Sequence, residues 1–299
     1  MLQQFDSRNK DLKVYVQGRL VHRDEGAVSV FDSVVQGGDA VWEGLRLYKD
    51  GIICLDHHLN RLNESAHTLA FEKVPSVAVI KQALKETIEA NNMVEGVHIR
   101  LTLTRGVKIT SGMDPRLNQS GCTLIIVPEY KAPVYDNESG IKIITSSQRR
   151  NNPQFLDSKI HHNNLLNNIL AKIQSNVAGV DAALMLDENG FASELHGTNI
   201  FMIKGDQVWT PHAHNCLPGI TRKLIMQLCV ENDIIIEERN ISLAELYNAD
   251  AVFTTGTMGE LTPVTLIDGR RISNSTKTDL LDRIQVLFRA CIPRMCEKL

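Results

Sequence analysis

The stretch DENGFASELHGTNIF, residues 187–201, combines a strong turn signal with a short strand pattern. Asn189-Gly190 is typical of a tight hairpin turn, because both residues tolerate a positive φ. The residues that follow predict a strand in which Glu194 is half-buried. A carboxylate in that position is unfavourable without a cationic partner, although most glutamates are simply exposed. The stretch therefore indicates a β-containing domain with one carboxylate whose partner has to be found.

Two loops further along the chain are compatible with an anion site. LPGITR (217–222) precedes an amphipathic helical pattern, and the free N–H groups and dipole of a helix start attract phosphate. TTGTMGELTP (254–263) follows an apolar strand and combines two glycines with four threonines, which lets backbone and hydroxyl groups approach a ligand. Local features alone favour an ordinary capped loop for the first and do not decide the second.

The pattern of strands and helices predicts two α+β domains. The N-terminal part has two hairpin, two helical and two strand patterns, at 13–22, 44–55, 58–71, 77–91, 97–104 and 122–127. Turn-forming residues then cluster from 128 to 140, after which a strand pattern restarts at 141–145. Because strands and helices mix without regular alternation, we expect domains at 1–129 and 141–299, joined by a linker at 130–140.

Composition excludes several classes of function. The chain has 299 residues, is 43% hydrophobic and carries a net charge of -3, so no general field gathers nucleic acid or anionic membrane. The six cysteines are scattered and His161-His162 lacks a metal-ligand spacing, so we expect reduced thiols and no metal. A polar N-terminus and the absence of a long apolar run favour a cytoplasmic protein.

Seven segments together resemble the motif set of the class IV aminotransferases, the fold-type IV pyridoxal-phosphate enzymes. They are GGDAVWEGLRLY (37–48), HLNRLNESA (58–66), HIRLTLTRG (98–106), LDSKIHHNNLL (156–166), DENGFASELHGTNIF (187–201), LPGITR (217–222) and TTGTMGELTPV (254–264). Each is weak alone, but seven in this order at compatible spacing make chance improbable. The resemblance implies the two-domain fold of that group, which is D-amino-acid aminotransferase-like, and pyridoxal 5'-phosphate as cofactor.

The resemblance also implies the cofactor site. Lys159 matches the lysine that forms a Schiff base and moves the substrate proton, and Glu194 matches the carboxylate that faces the pyridine nitrogen. This role would supply the partner that Glu194 needs. The remaining matches are Arg61, the N–H groups of Ile220 and Thr221, and Thr257 for the phosphate, with Leu217 against the ring face.

Within the family, the segments are most similar to branched-chain amino acid aminotransferases. The spacing from Lys159 to Leu165-Leu166 is that of this group. The implied substrate residues are Trp42, Arg100, Arg105, Met258 and Gly259. Arg100 matches the arginine that meets the distal carboxylate of glutamate or 2-oxoglutarate. We therefore expect transfer of an amino group between a branched-chain or hydrophobic amino acid and 2-oxoglutarate, in a homodimer.

Several residues depart from the branched-chain pattern. Asn164 stands where that group usually has a tyrosine, and Gly37 stands where an aromatic residue is common. The arginine in Thr104-Arg105-Gly106 resembles an arginine of the D-amino-acid and R-amine transaminases, which helps to bind a carboxylate in those enzymes. These departures leave open a D-amino-acid or R-amine transaminase, or a lyase similar to aminodeoxychorismate lyase. A third alternative is a family member that only binds ligand, against which the intact Lys159, Glu194 and Arg61 argue.

Overall fold

A computed structural model describes residues 3–272 and 279–299 of the chain. Its helices are α1 (Ser33–Gly37), α2 (Leu55–Thr68), α3 (Val77–Ala90), α4 (Leu166–Val177), α5 (Ile220–Glu231), α6 (Leu243–Tyr247) and α7 (Asp279–Met295). Its strands are β1 (Lys13–Val16), β2 (Arg19–His22), β3 (Ala40–Tyr48), β4 (Gly51–Ile53), β5 (Val97–Thr104), β6 (Thr123–Tyr130), β7 (Ile141–Thr145), β8 (Ala182–Leu186), β9 (Ala192–Leu195), β10 (Asn199–Lys204), β11 (Gln207–Thr210), β12 (Ile235–Glu238), β13 (Ala251–Gly256), β14 (Glu260–Ile267), β15 (Arg270–Arg271) and β16 (Cys296–Glu297).

The chain forms two compact units, each with its own sheet. The N-terminal unit contains residues 3–132, Ile160–Asn164 and Ile292–Leu299, and the C-terminal unit contains Pro133–Lys159 and Leu165–Cys291. This division differs from the expected domains at 1–129 and 141–299, because two C-terminal segments return to the first sheet. Strand β16 pairs with β4, and His162 forms a β-bridge with Val41.

The sheet of the N-terminal unit is antiparallel, in the order β16-β4-β3-β5-β6-β1-β2. The predicted hairpin at 13–22 is present as β1 and β2, and both residues of its turn, Gln17 and Gly18, have positive φ. Such a turn matches the right-handed twist of the two strands. The Asp50-Gly51 hairpin is also present, with β3 longer than predicted.

One face of this sheet packs on helices and the other does not. Val41 and Leu45 of β3 join Leu59 and Leu62 of α2 and Ile80 of α3 in a buried core. Side chains alternate along a strand, so the residues between them point to the opposite face. That opposite face carries the side chains of Trp42, Arg46, His98 and Arg100, by the register of β3 with β5.

The sheet of the C-terminal unit runs in the order β12-β11-β10-β13-β14-β7-β8-β9, with β15 paired to β14. Most pairs are antiparallel, but β12-β11, β14-β7 and β7-β8 are parallel. Ile143, Leu184 and Met202 lie in the core on one face of the sheet. Ala183 and Met185 pack with Ala171 of α4 on the other face.

Glu194 is more deeply buried than the sequence predicted. Strand β9 is buried at all four positions, and Glu194 is 5% exposed. It lies opposite Met185, whose face of the sheet is covered by α4. Among the residues that the structure describes, no helix is both long and apolar enough to cross a bilayer.

Candidate functional site

The Glu194 carboxylate has three donors within the C-terminal unit. Arg150 Nε donates to Oε1 at 2.6 Å, and the Leu217 backbone N–H donates to the same oxygen at 3.3 Å. The Asn199 side-chain amide donates to Oε2 at 3.1 Å. Burial raises the pKa of the Glu194 carboxyl, and the Arg150 guanidinium limits that rise. The surroundings therefore fix the positions of both oxygens, and the Arg150 guanidinium offsets part of the rise in the Glu194 pKa that burial causes.

Asn199 connects this carboxylate to the start of α5. Its Nδ2 also donates to the Leu217 carbonyl oxygen at 2.9 Å. Its Oδ1 lies 2.0 Å from where a Cβ on Gly219 would stand, so a side chain at 219 would displace the amide. Glycine at position 219 is thus required by a close approach, independently of backbone conformation.

The two loops that the sequence marked as compatible with an anion site, 217–222 and 254–263, both lie beside Asn199. Asn199 pairs with Thr255 across β10 and β13, while its side chain touches Gly219, the N-cap of α5. Gly219 provides no side-chain cap, so the first N–H groups of α5, at Ile220 and Thr221, face outward from the helix end. The Thr255 and Thr198 hydroxyls are buried and have no hydrogen-bond partner among the described residues. Unpaired buried hydroxyls beside a helix start are a set of donors suited to phosphate.

Thr257, Met258 and Gly259 form the turn between β13 and β14, directly after this region. The Met258 carbonyl oxygen accepts from the Val134 N–H at 3.3 Å, and the Gly259 carbonyl oxygen accepts from the Thr262 hydroxyl at 3.0 Å. The turn is therefore tied to the strand that follows it and to the segment after residue 132.

Lys159 lies in the same unit, with its side chain 45% exposed. Its Nζ is 3.6 Å from Asp157 Oδ1 and donates to the His214 carbonyl oxygen at 3.4 Å. His214 is three residues before Leu217, whose N–H binds Glu194. The lysine amine and the paired carboxylate therefore both meet the segment 214–217, although they are 35 residues apart in sequence.

In the N-terminal unit, Arg61 belongs to a cluster around Glu43, which is fully buried. Arg61 donates to both Glu43 oxygens, at 2.7 and 2.6 Å. His58 Nδ1 is 2.6 Å and His161 Nδ1 is 3.1 Å from the same carboxylate. Burial opposes ionisation of Glu43, but Arg61 and His161 hold its pKa well below the ordinary value. Burial lowers the pKa of His161 to about 4, so the ring is neutral at pH 7.

Trp42 lies between Arg100 and His161. The Arg100 guanidinium carbon is 3.4 Å from the Trp42 ring centroid, and the His161 ring lies 4.1 Å away. Arg100 also donates to Asn163 Oδ1 at 2.7 Å, and the Trp42 indole N–H donates to the His162 carbonyl oxygen at 3.2 Å. The segment after Lys159 thus fixes both predicted substrate residues, Trp42 and Arg100.

Arg105, the second arginine predicted to contact substrate, makes several contacts within its own unit. Its Nε donates to Asp39 Oδ2 at 2.6 Å, and its two terminal nitrogens donate to the carbonyl oxygens of Ala70 and Leu69. Its guanidinium also lies 4.5 Å from the Phe71 ring centroid. All three nitrogens of the side chain are therefore engaged in joining the end of β5 to the end of α2.

Within each unit, the sequence did not point to several residues that contact the predicted site residues. They are Arg150, Asn199, Glu43, His161 and Asn163. A signal existed for Asn199, which lies in the quoted stretch 187–201, and for His161, which follows Lys159 closely. The partnership of Arg150 with Glu194 spans 44 residues, and no local pattern predicts it.

Comparison with known proteins gives a consistent family. The sequence model of amino-transferase class IV matches residues 40–267. The chain is 37% identical to the putative branched-chain-amino-acid aminotransferase of Methanocaldococcus jannaschii, over 93% of this chain and 96% of that protein. It is 56% identical to the branched-chain-amino-acid aminotransferase-like protein 2 of Arabidopsis thaliana, over 94% of this chain. The chain spans about half the length of that protein, 50%.

Solved structures are similar over almost the whole chain. The branched-chain aminotransferase of Thermoproteus uzoniensis with norvaline has a TM-score of 0.87 at 27% sequence identity, covering 96% of each chain. A second structure is a branched-chain amino acid aminotransferase complexed with N-(5'-phosphopyridoxyl)-L-glutamate. Its TM-score is 0.88 at 27% identity, covering 98% of this chain and 96% of that one. The likeness confirms the fold-type IV, α+β architecture that the sequence implied.

Proposed function

Because the chain belongs to the class IV aminotransferase family, we propose that it is a pyridoxal-phosphate-dependent aminotransferase. It transfers an amino group between a branched-chain or hydrophobic amino acid and 2-oxoglutarate. The observation that carries the proposal is the meeting of Lys159 and the paired Glu194 carboxylate on the segment 214–217. A lysine amine and a buried, oriented carboxylate are the two groups that this chemistry requires.

The residues of the C-terminal unit fit pyridoxal 5'-phosphate. The outward N–H groups of Ile220 and Thr221 and the unpaired Thr255 hydroxyl suit its phosphate, and Thr257 adds a further donor. Leu217 is held beside Glu194 by its own N–H, which suits packing against a ring face. When bound, the cofactor supplies a ring that accepts the electrons released at the substrate Cα.

Each protein group then has a defined task. The Glu194 carboxylate accepts a hydrogen bond from the ring nitrogen and keeps that nitrogen protonated. Lys159 Nζ would take the proton from the substrate Cα and deliver it to the cofactor carbon on the other side of the shared nitrogen. We also propose Arg61 as a phosphate ligand, on the resemblance of HLNRLNESA (58–66) to the family motif; its Nε and one terminal nitrogen are held by Glu43.

We assign substrate binding to one aromatic residue, one charged residue and one segment of backbone. Trp42 presents an aromatic surface to a hydrophobic side chain, and Arg100 binds a distal carboxylate. The backbone at Met258 and Gly259 receives the α-carboxylate. Arg105 is left out of this set because its donors bind Asp39 and two carbonyl oxygens.

We further propose that the protein works as a homodimer. Helix α4 exposes apolar residues with helical spacing, namely Leu166, Ile169, Leu170, Ile173 and Val177. The N-terminal unit separately exposes Val30, Phe31 and Val35. Contiguous exposed apolar residues of this kind mark protein interfaces. Light scattering of wild type and of Ile169→Glu tests the proposal, which predicts a dimer that the substitution weakens; a monomeric wild type would refute it.

The catalytic proposal is tested with purified protein loaded with pyridoxal phosphate. A panel of L- and D-amino acids and R-amines is assayed with 2-oxoglutarate and pyruvate as acceptors. We expect leucine, isoleucine and valine to react best, with 2-oxoglutarate accepted. Reaction with D-donors or R-amines alone would overturn the branched-chain assignment, and borohydride labelling at a residue other than Lys159 would overturn the site.

A further inference from the structure

The backbone of the segment 211–217 is held by buried side chains at both ends. Arg222, which is 5% exposed, donates to the Pro211 carbonyl oxygen at 2.8 Å. At the other end, the Asn199 side-chain amide donates to the Leu217 carbonyl oxygen at 2.9 Å. Buried backbone groups outside a helix or sheet need partners of this kind, so these two contacts alone would be ordinary packing of a loop.

Asn215, in the middle of the segment, is held on two sides. The Ser193 hydroxyl donates to the Asn215 carbonyl oxygen at 3.1 Å, and Ser193 is 3% exposed. The Asn215 side-chain amide donates to Glu188 Oε2. One contact holds the main chain of Asn215 and the other holds its side chain, so the residue is fixed against rotation.

The fixed residue determines where the preceding carbonyl group points. The His214 carbonyl and the Asn215 N–H belong to one planar peptide unit, so fixing Asn215 also orients the His214 carbonyl oxygen. That oxygen accepts from Lys159 Nζ at 3.4 Å, and Asp157 Oδ1 lies 3.6 Å from the same Nζ. A lysine side chain has many rotamers, so these two acceptors decide where its amine rests.

Strand β9 joins this arrangement to the buried carboxylate. Ser193 and Glu194 are consecutive on β9, and they contact the segment at two points. Ser193 contacts Asn215, and Glu194 Oε1 accepts from the Leu217 N–H at 3.3 Å. A displacement of the segment would therefore move the acceptor of the lysine amine and a donor to the carboxylate together.

We propose that Ser193 and Asn215 are positioning residues for Lys159, acting through the His214 carbonyl oxygen. The inference rests on the proposed aminotransferase function, in which Lys159 Nζ moves a proton at the substrate Cα. A base that takes a proton has to lie within hydrogen-bond reach of it, so the orientation of the amine limits that step.

The first measurement follows the lysine amine without transamination. The cofactor-free protein is treated briefly with pyridoxal and reduced with borohydride, and the label at Lys159 is divided by the label at Lys204 in the same sample. Lys204 is a suitable reference, because its side chain is 48% exposed against 45% for Lys159 and it also donates to a carbonyl oxygen, at Asn248. Ser193→Ala should lower this labelling ratio about threefold or more, as expected from the loss of one orienting hydrogen bond.

Ser175→Ala is the matched control. Ser175 is also buried in the C-terminal unit, and its hydroxyl also donates to a carbonyl oxygen, that of Lys172, at 2.8 Å. Both alanine variants should lose thermal stability to a similar extent, but Ser175→Ala should leave the labelling ratio as in wild type.

A pair of substitutions at the exposed Glu188 tests the same arrangement from the side of Asn215. Glu188→Ala removes the acceptor of the Asn215 amide and should lower the labelling ratio, whereas Glu188→Gln keeps an acceptor oxygen and should restore most of it. The amino-acid half-reaction of the cofactor-loaded variants should slow in the same order as the labelling ratio falls.

The outcomes separate the positioning role from the proposed function. An equal labelling ratio in Ser193→Ala and Ser175→Ala would overturn the positioning role. If Ser193→Ala does not fold, the Glu188 pair decides, and an unchanged ratio in Glu188→Ala would overturn the role. A wild type that transaminates while all variants label alike refutes the positioning role alone. The expected order of labelling without any transamination refutes the proposed function alone, and a wild type without label at Lys159 refutes both.

Discussion

Arg150 Nε donates to Glu194 Oε1 at 2.6 Å, and each of the two side chains is 6% exposed. A buried ion pair of this kind adds little net stability compared with apolar residues, but removal of one partner leaves an uncompensated charge. The pair therefore acts as a positioning device: it fixes the orientation of the carboxylate and limits the rise in its pKa that burial causes.

Replacement of Arg150 by methionine should impair chemistry and stability together. Without the guanidinium, burial should leave Glu194 protonated at neutral pH, so the amino-acid half-reaction slows at least about tenfold. The free energy of unfolding should also fall, by about 1–3 kcal/mol, because the buried carboxyl loses a hydrogen-bond partner. Stopped-flow absorbance and urea denaturation measure the two effects. Arg149→Met, at the neighbouring exposed residue, serves as control, and an unimpaired half-reaction in Arg150→Met would contradict the assigned role.

Alanine at position 219 should disrupt the site through Asn199. The added Cβ would lie 2.0 Å from Asn199 Oδ1, which forces the amide away from Glu194 and from the Leu217 carbonyl oxygen. We expect a loss of about 1–3 kcal/mol of unfolding free energy and weaker cofactor binding, measured by denaturation and by fluorescence titration. Gly197→Ala is the matched control, because nothing lies within 4 Å of its added Cβ. Equal behaviour of the two variants would refute the steric argument.

Substitution of Arg61 separates its two roles. Arg61→Met removes both hydrogen bonds to the buried Glu43 and should lower the unfolding free energy by about 3–5 kcal/mol, with weaker binding of pyridoxal phosphate. Arg61→Lys retains the charge but loses the fork, so we expect an intermediate stability. The unfolding free energy is measured on the cofactor-free protein, and the affinity for pyridoxal phosphate is measured by titration with the cofactor. A stability loss with unchanged cofactor affinity would rule out Arg61 as a phosphate ligand.

The stability of the protein should depend on the protonation of His161. Burial lowers its pKa from 6.5 to about 4, so between these values the unfolded state binds more protons than the folded state. Stability therefore falls as the pH drops from 6.5 towards 4, by at most about 1.4 kcal/mol per pH unit for this group. His161→Gln should flatten the pH dependence of the unfolding free energy between about pH 4 and 6.5, measured by urea denaturation. His57→Gln, at an exposed histidine, should leave the slope as in wild type.

Lys159→Ala should abolish turnover and preserve the fold. The side chain is 45% exposed and its partners are a partly exposed carboxylate and one carbonyl oxygen. Loss of such contacts usually changes the unfolding free energy by no more than about 0.5 kcal/mol. Steady-state assays and thermal denaturation check the two statements. Near-normal turnover in this variant would remove Lys159 from the mechanism.

Local sequence patterns predicted individual elements well. Strand β5 spans the predicted residues 97–104, α3 ends one residue before the predicted end, and the hairpin predicted at 13–22 is present as β1 and β2. These features depend on residues that are close in sequence, so alternation, helical spacing and turn chemistry are sufficient to locate them.

Contacts between residues that are far apart in the sequence could not be predicted from local patterns. Glu194 was singled out as needing a cation, but Arg150 lies 44 residues away and no spacing rule connects them. The return of residues 160–164 and 292–299 to the first sheet depends on edge pairing with β3 and β4, which a linear reading assigns to the domain that surrounds them in sequence. The sequence also did not predict the acceptors of Arg105, because Asp39 and the end of α2 come together only in the folded unit.

The position of Trp42 between Arg100 and His161 limits how this protein could be redesigned. Under the proposal that Trp42 contacts the donor side chain, trimming the indole to admit bulkier donors would also release the Arg100 guanidinium and the His161 imidazole that pack against it. Pocket volume and charge selectivity therefore cannot be tuned independently at residue 42. Substitutions meant to widen the range of amino donors should therefore be made at other positions, with Trp42 left unchanged.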